Sequence, residues 1–339
     1  MGQKISVLAL TGFLGAGKTT LLNRLLSDSA PQASGFSCVE SIDPKRTVVL
    51  VNELGEVGLD HYLLRHVDDR VAVLPSGCIC CSVKGELVNS LRDLFMAAMQ
   101  RRITPFTHVV IETTGVADPS SLRYTLAFER FLADRYRYAG CVTVVDVPHI
   151  LDLYPAYTEV QSQLAIADGF AMTKLDQSTP DQVRSVESWL EGLFPQARRS
   201  PAQGLQTLTD LFALGASSGT RLRLFGGKGA STWSPATPVH GQLDVFSARW
   251  SGKVSRSVLS KALAAALEQA GKTLVRFKGL FLLEDGQCVV LHAVHGTAYP
   301  PEVLDATLSD CAAVAITRDS SAESFIVFLR DQLQSASST

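Results

Sequence analysis

The stretch "GFLGAGKTT", Gly12–Thr20, satisfies the spacing G-x-x-x-x-G-K-[ST]. Glycines at these positions let backbone N–H groups face phosphate oxygens. Lys18 then reaches the β- and γ-phosphates, and the Thr19 hydroxyl is a Mg²⁺ ligand. Gly12, Gly15, Ala16, Gly17, Lys18, Thr19 and Thr20 are therefore the expected phosphate-binding set. The apolar run Ile5–Leu10 precedes the loop and the helical segment Lys18–Leu26 follows it. A helix starting there adds the positive end of its dipole.

Two later stretches say more about the nucleotide. "HVVIETTG", His108–Gly115, is an apolar strand that ends in an acid. Glu112 is expected to support Mg²⁺ through water, and Gly115 to offer its N–H to the γ-phosphate. "FAMTKLD", Phe170–Asp176, resembles the N/T-K-x-D element of GTPases. Asp176 can accept two hydrogen bonds from guanine N1 and N2, which adenine cannot supply, and Lys174 can lie along the base. Thr173 stands where Asn is more usual.

A different chemistry sits in "GCICC", Gly77–Cys81. In extended backbone Cys78 and Cys80 point one way and Cys81 the other. Three thiols so close suit Zn²⁺ or Co²⁺ and leave a coordination position for another ligand or water. Such an open thiolate site fits metal that is handed on. Between the two motifs lies "VNELGEVGLD", Val51–Asp60. Glu53, Glu56 and Asp60 could orient an attacking water, touch Mg²⁺ or complete the cysteine site. Glu56 is the expected additional Zn²⁺ or Co²⁺ ligand. If this loop senses the γ-phosphate, hydrolysis alters the metal site.

These residues need a scaffold, and the pattern supplies one. Apolar runs Ile5–Leu10, Thr47–Val51, Val71–Leu74, His108–Glu112, Cys141–Asp146 and Gly169–Thr173 read as strands. Lys18–Leu26, Gly85–Gln100, Ser120–Arg135, Glu159–Ala167 and Gln182–Leu193 read as helices between them. Alternation of this kind predicts an α/β domain, doubly wound around a mostly parallel sheet. It is expected to span residues 1–225. "GGKGASTWSPATP", Gly226–Pro238, reads as a linker within 226–240, and residues 241–339 as a smaller α+β domain. There Leu243–Trp250, Val275–Leu283, Val289–Val294 and Ala312–Thr317 are the expected strands, and Ser255–Gln269 and Ala322–Leu333 the expected helices. "EDGQ", Glu284–Gln287, is a hairpin turn signal.

Bulk properties narrow the partners. Lysine plus arginine total 31 and aspartate plus glutamate 33, a net charge of −2, so no global field draws the chain to nucleic acid or membrane. Seven cysteines, three within four residues, do not read as a disulfide framework. Ile5–Leu10 is too short for a signal peptide, and a cytoplasmic chain with reduced thiols is expected. "MGQKIS" fits the loose myristoylation pattern, but Ile5–Leu10 needs these residues as its lead-in. Lys253, Arg256, Lys261, Lys272, Arg276 and Lys278 make the second domain locally basic, which is expected to be a solvated face.

GFLGAGKTT, VNELGEVGLD, GCICC, IETTGVADP and TKLD, in this order, resemble the CobW/YjiA-type family of metal-handling P-loop GTPases. "VRFKG", Val275–Gly279, extends the resemblance into the second domain. The resemblance implies a GTPase that binds Zn²⁺ or Co²⁺ and serves a client metalloprotein or a cobalamin-pathway enzyme. Gly15–Thr20 would hold phosphate and Mg²⁺, Cys80 with its neighbours the metal, and Lys174 and Asp176 guanine. It leaves an oligomer open. Two features depart from the family: no histidine lies in Gly226–Pro238, and Val51 stands where some relatives have an acid. His292 and His295, three apart, are too few to form a site. The competing readings are a phosphotransferase with structural cysteines, or a GTP-gated module that binds a partner or RNA.

Overall fold

The computed structural model describes residues 3–27, 41–52, 71–74, 83–113, 120–195, 197–216, 243–304, 310–318 and 320–335. The chain divides into two compact units. One comprises Met1–Glu187 with Ala197–Ser217, the other Ser188–Gln196 with Ser218–Thr339.

In the first unit the strands are β1 (Ile5–Thr11), β2 (Thr47–Asn52), β3 (Val71–Leu74), β4 (His108–Glu112), β5 (Tyr136–Asp146), β6 (Gly169–Thr173) and β7 (Arg198–Pro201). The helices are α1 (Lys18–Leu26), α2 (Val83–Met99), α3 (Ser120–Phe128), α4 (Arg130–Arg135), α5 (Ile150–Ala156), α6 (Thr158–Ala165), α7 (Pro180–Leu193, of which residues from Ser188 on belong to the second unit) and α8 (Leu208–Gly215). The seven strands form one sheet in the order β3-β2-β4-β1-β5-β6-β7, and every pairing is parallel. β1 runs through the middle. Val7, Leu8, Ala9 and Leu10 have no exposed surface. Only a strand covered on both faces accepts consecutive apolar side chains, so "VLAL" belongs there. On one face Leu8 and Leu10 pack with Leu21, Leu22 and Leu25 of α1 and with Leu208 and Leu211 of α8. The i, i+4 spacing of Leu21 and Leu25 puts both on one side of α1.

The doubly wound α/β class is the one expected, and several boundaries differ. Ser120–Arg135 is two helices rather than one. Glu129 takes extended backbone and its carboxylate accepts the Leu132 N–H at 2.7 Å, capping α4 and ending α3. β5 begins at Tyr136 rather than Cys141, because its polar start pairs with β1 from Ile5 onward. β7, "RRSP", carries no apolar signal because it is an edge strand and half exposed. α8 does have a start signal, the reciprocal cap between Thr207 and Asp210.

The second unit contains β8 (Leu243–Ser251), α9 (Arg256–Ala270), β9 (Leu274–Leu282), β10 (Cys288–Val294), β11 (Thr297–Ala298), β12 (Glu302–Leu304), β13 (Asp310–Arg318) and α10 (Ala322–Ser335). Its antiparallel sheet has the order β11-β10-β9-β13-β8, with β12 also on β10. Gly286, at φ 84°, turns the β9–β10 hairpin, where the Leu283 N–H donates to the Gln287 carbonyl at 2.8 Å. One sheet face packs Phe277, Phe281, Val289 and Leu291 against Leu259 and Leu263 of α9 and Ile326 and Leu329 of α10. The alternate residues Arg276, Lys278 and His292 are at most 8% exposed. Of the basic residues expected to form a solvated face, Lys253, Arg256 and Lys261 are exposed, while Arg276 and Lys278 are buried in the sheet. Among the described residues, no helix is long and apolar enough to cross a membrane.

Gly279 lies between Phe277 and Phe281 on the helix-facing side. A Cβ there would come within 2.4 Å of the Phe281 ring and 2.7 Å of the Phe277 ring. Both rings are in the core, so neither has room to retreat. Gly279→Ala is expected to cost about 1–3 kcal/mol of stability. Urea unfolding should show a lower midpoint with an unchanged slope; a wild-type midpoint would mean that the rings slide aside freely.

Candidate functional site

All strands of the first sheet run the same way, so their carboxyl ends share one edge. In open α/β sheets, ligands bind in a crevice at this edge. The loop between β1 and α1 leaves from it. Gly12, at φ 143°, crosses directly over β5, and a Cβ there would stand 2.5 Å from the Val144 carbonyl oxygen. Gly15 and Gly17 also have positive φ, at 72° and 95°. Gly17 is the N-cap of α1 and offers no side-chain cap, so none competes for the first-turn N–H groups.

Lys18 begins α1 and folds back over this loop. Its Nζ donates to the Gly12 carbonyl at 2.8 Å and to the Phe13 carbonyl at 3.2 Å. The ammonium is thus held within the curve of the loop, where it can meet phosphate oxygens. Thr19 Oγ1 donates to Glu112 Oε1 at 2.9 Å. Glu112 ends β4, where it is the register partner of Leu10, and it is buried. A hydroxyl has one proton and two lone pairs. Because Glu112 takes the proton, the lone pairs stay available to a cation. A hydroxyl oxygen beside a carboxylate is a hard donor set, the kind that Mg²⁺ prefers. Beyond Glu112, the Thr113 N–H donates to the Leu10 carbonyl at 2.9 Å, and its hydroxyl to Thr11 Oγ1, also at 2.9 Å. The β1–β4 ladder thereby continues past the strand ends and fixes the carboxylate. Ala16 is buried in the loop and Thr20 is exposed on α1.

β6 delivers the Thr173-Lys174-Leu175-Asp176 segment to the same edge. Thr173 Oγ1 donates to the Ala16 carbonyl at 2.8 Å and lies 3.0 Å from that of Val145. A threonine in the place of asparagine therefore still ties this segment to the phosphate loop. Lys174 is left-handed, at φ 57° and ψ 33°, and its Nζ donates to Asp146 Oδ2 at 2.7 Å. Asp176 follows in a short 3₁₀ turn, exposed to solvent. Sequence reasoning gave Asp146 no role. Its signal is faint, an acid at the end of an apolar strand. It missed the ring contact between Phe13 and Tyr157 too, whose centroids are 4.7 Å apart.

The other expected site residues, Glu53, Glu56, Asp60, Cys78, Cys80, Cys81 and Gly115, lie outside the described residues. The last described residues before the acidic and cysteine segments are Asn52 and Leu74. They are register partners on β2 and β3. Both segments therefore continue from adjacent strand ends at the edge that carries Gly12 and Glu112. Among the described residues, no three His, Cys, Asp or Glu side chains form a group that could hold a metal. Cys141, Cys288 and Cys311 are buried and not disulfide-bonded. Burial pushes the Cys311 thiol above its ordinary pKa, which opposes the thiolate a metal requires. His292 has no exposed surface and lies 3.8 Å from the Glu302 carboxylate, while His295 has turned left-handed after β10.

Two family models match the chain. "CobW/HypB/UreG, nucleotide-binding domain" covers residues 6–200, and "Cobalamin synthesis protein cobW C-terminal domain" covers residues 244–337. The zinc chaperone YjiA of Escherichia coli (strain K12) is 37% identical over 172 residues, 51% of this chain and 50% of that protein. The zinc-regulated GTPase metalloprotein activator 1 of Schizosaccharomyces pombe is 32% identical over 179 residues, 51% of this chain and 39% of that protein. The chain thus spans about half the length, or less, of these curated relatives. The crystal structure of Zn(II)-bound YjiA GTPase from E. coli aligns over 98% of this chain and 99% of that one, with a TM-score of 0.65 and 25% identity. With its phosphate loop, its parallel sheet and both domain models in register along the sequence, the chain belongs to the CobW/HypB/UreG family.

Proposed function

We propose that this chain is a Mg²⁺-dependent GTPase that carries Zn²⁺, or Co²⁺, on Cys78, Cys80 and Cys81 and couples GTP hydrolysis to delivery of that metal. Delivery would be to a client metalloprotein or a cobalamin-pathway enzyme, in the cytoplasm. The observation that carries the reading is the hydrogen bond from Thr173 to the Ala16 carbonyl, which joins a phosphate loop to a lysine–aspartate pair suited to guanine. Similarity to proteins named zinc chaperones supports the choice of cargo.

In this mechanism the loop N–H groups and Lys18 neutralise the triphosphate. Thr19, its proton held by Glu112, and the glutamate itself keep oxygen donors in place for Mg²⁺. When bound, Mg²⁺ offsets charge that develops on the β- and γ-phosphate oxygens. One of Glu53, Glu56 and Asp60 orients water for attack, and Gly115 senses the γ-phosphate. Asp176 reads the base. Glu56 shares the cargo metal with the thiols, so loss of the γ-phosphate changes the hold on it.

Lys18→Ala is expected to lower kcat/KM for GTP by about 10²–10³-fold. Wild-type turnover in that variant would remove the phosphate-loop assignment. Asp176→Asn should shift preference from GTP toward xanthosine triphosphate, because an amide can donate to the xanthine 2-oxygen that a carboxylate repels. Unchanged ratios among ATP, GTP and XTP would exclude Asp176 as the base reader.

Coupling is tested by titrating Zn²⁺ or Co²⁺ against the chain loaded with a non-hydrolysable GTP analogue, and again with GDP. Thiolate ligation should release protons and weaken below neutral pH, and Cys80→Ala should remove most of the Co²⁺ charge-transfer absorption while leaving GTP binding. Metal affinity should differ between the two nucleotide states by roughly 5- to 150-fold. Identical affinities would leave two independent sites on one fold.

A further inference from the structure

Asp146 takes no part in the chemistry proposed above, yet it is buried at the crowded edge of the first sheet and engaged on both oxygens. Lys174 Nζ donates to its Oδ2 at 2.7 Å, and His149 Nδ1 lies 3.0 Å from its Oδ1. The Asp146 side chain is 8% exposed, that of Lys174 28% and that of His149 57%. Its place follows from register. Asp146 and Thr173 are the last pair of the β5–β6 ladder, so the carboxylate stands beside the residue that precedes Lys174. It also shares a small cleft with Phe13 and Ala16 of the phosphate loop.

Lys174 is held unusually firmly for a lysine. Its left-handed backbone is disfavoured for a residue with a Cβ, and such a conformation persists only where the surroundings over-determine it. Here they do. The Lys174 carbonyl accepts the Gln177 N–H at 3.0 Å and the Ser178 hydroxyl at 3.1 Å. The Thr173 hydroxyl is spent on the Ala16 carbonyl one residue before. With the backbone fixed by these bonds and the ammonium fixed by Asp146, the four-carbon stem is held at both ends. A lysine stem is otherwise rich in rotamers, and a ligand that lies on it must order it first.

We propose that Asp146 is a positioning residue for the base site. By pinning the Lys174 ammonium it lays the methylene stem flat as an apolar platform for one face of guanine, leaving exposed Asp176 to meet the edge of the base. The proposal rests on the reading of Lys174 and Asp176 as the base site. Since the platform touches the base and not the phosphates, its loss must weaken GTP and GDP equally and leave a ligand with no base untouched.

The test is calorimetric titration of the full chain with GTP analogue, GDP and inorganic tripolyphosphate, with thermal unfolding as the check on folding. Asp146→Asn keeps the volume and removes the charge. It should raise the Kd of both guanine nucleotides by the same factor, roughly tenfold, without changing that of tripolyphosphate. Lys174→Met keeps a stem but cannot be pinned. It should show the same loss, and adding Asp146→Asn to it should change the Kd by less than about twofold. His149→Ala, which leaves the lysine contact in place, should stay within about twofold of wild type. Wild-type nucleotide affinity in Asp146→Asn or in Lys174→Met overturns the proposal. So does an equal loss of tripolyphosphate binding, or a full Asp146→Asn effect in the Lys174→Met background, since either would make Asp146 merely structural. Asp176→Asn titrated alongside separates the two levels. If it fails to shift preference from GTP to XTP, the base-site reading itself falls. If it shifts while Asp146→Asn binds as wild type, only the present inference is lost.

Discussion

The hydrogen bond from the Thr173 hydroxyl to the Ala16 carbonyl joins the two loops on which the site depends. Each loop on its own has reason to move. The phosphate loop is rich in glycine, and Lys174 sits in strained left-handed backbone. A buried carbonyl without a donor is costly, so the Ala16 oxygen needs the threonine as much as the threonine needs it. Because β6 fixes Thr173, the bond transmits the rigidity of the sheet to a loop that has little of its own. The close passage of Gly12 over Val144 does the same from below. Between these two contacts the loop is held against β5 and β6 and curved around Lys18.

Two buried carboxylates flank this arrangement, and their partners suit them to different work. Asp146 meets an ammonium at 2.7 Å, a charge-assisted bond that sets the position of a long side chain. Glu112 meets the hydroxyl of Thr19, which takes its orientation from the bond and still has lone pairs to offer. A carboxylate paired with lysine fixes where that lysine can reach. One that orders a hydroxyl at a strand end prepares a place for a cation. Both stand at carboxyl ends of parallel strands, β5 and β4, on either side of β1.

How much of this was legible in the sequence follows from which physical effects leave a local pattern. The central strands did, because burial on both faces forces runs such as "VLAL" and "CVTVVD". Gly12, Lys18 and Thr19 did as well, because a phosphate loop demands fixed spacing. β7 did not, since an edge strand of "RRSP" buries little. The break between α3 and α4 was hidden because a glutamate cap is not among the usual N-cap residues. The role of Asp146 was hidden for another reason. Its partner is 28 residues away and is brought to it only by the β5–β6 register. The burial of Arg276 and Lys278 was equally invisible, because lysine and arginine are read as solvated unless their strand partners are known.

The described cysteines belong to the core. Cys141, Cys288 and Cys311 are small apolar side chains of their strands, and the Cys311 sulfur is already engaged, accepting the Leu282 N–H and donating to the Gly252 carbonyl at 3.4 Å each. A thiol in that setting resists ionisation. The sequence places Cys78, Cys80 and Cys81 differently, just after Leu74, as it places Glu53 just after Asn52. Asn52 and Leu74 are neighbours in register, and neighbouring parallel strands lie about 4.8 Å apart. Parallel strands alone bring their ends to one edge in this way. The sheet that holds the phosphate loop thus also brings Asn52 and Leu74 to the edge where that loop lies.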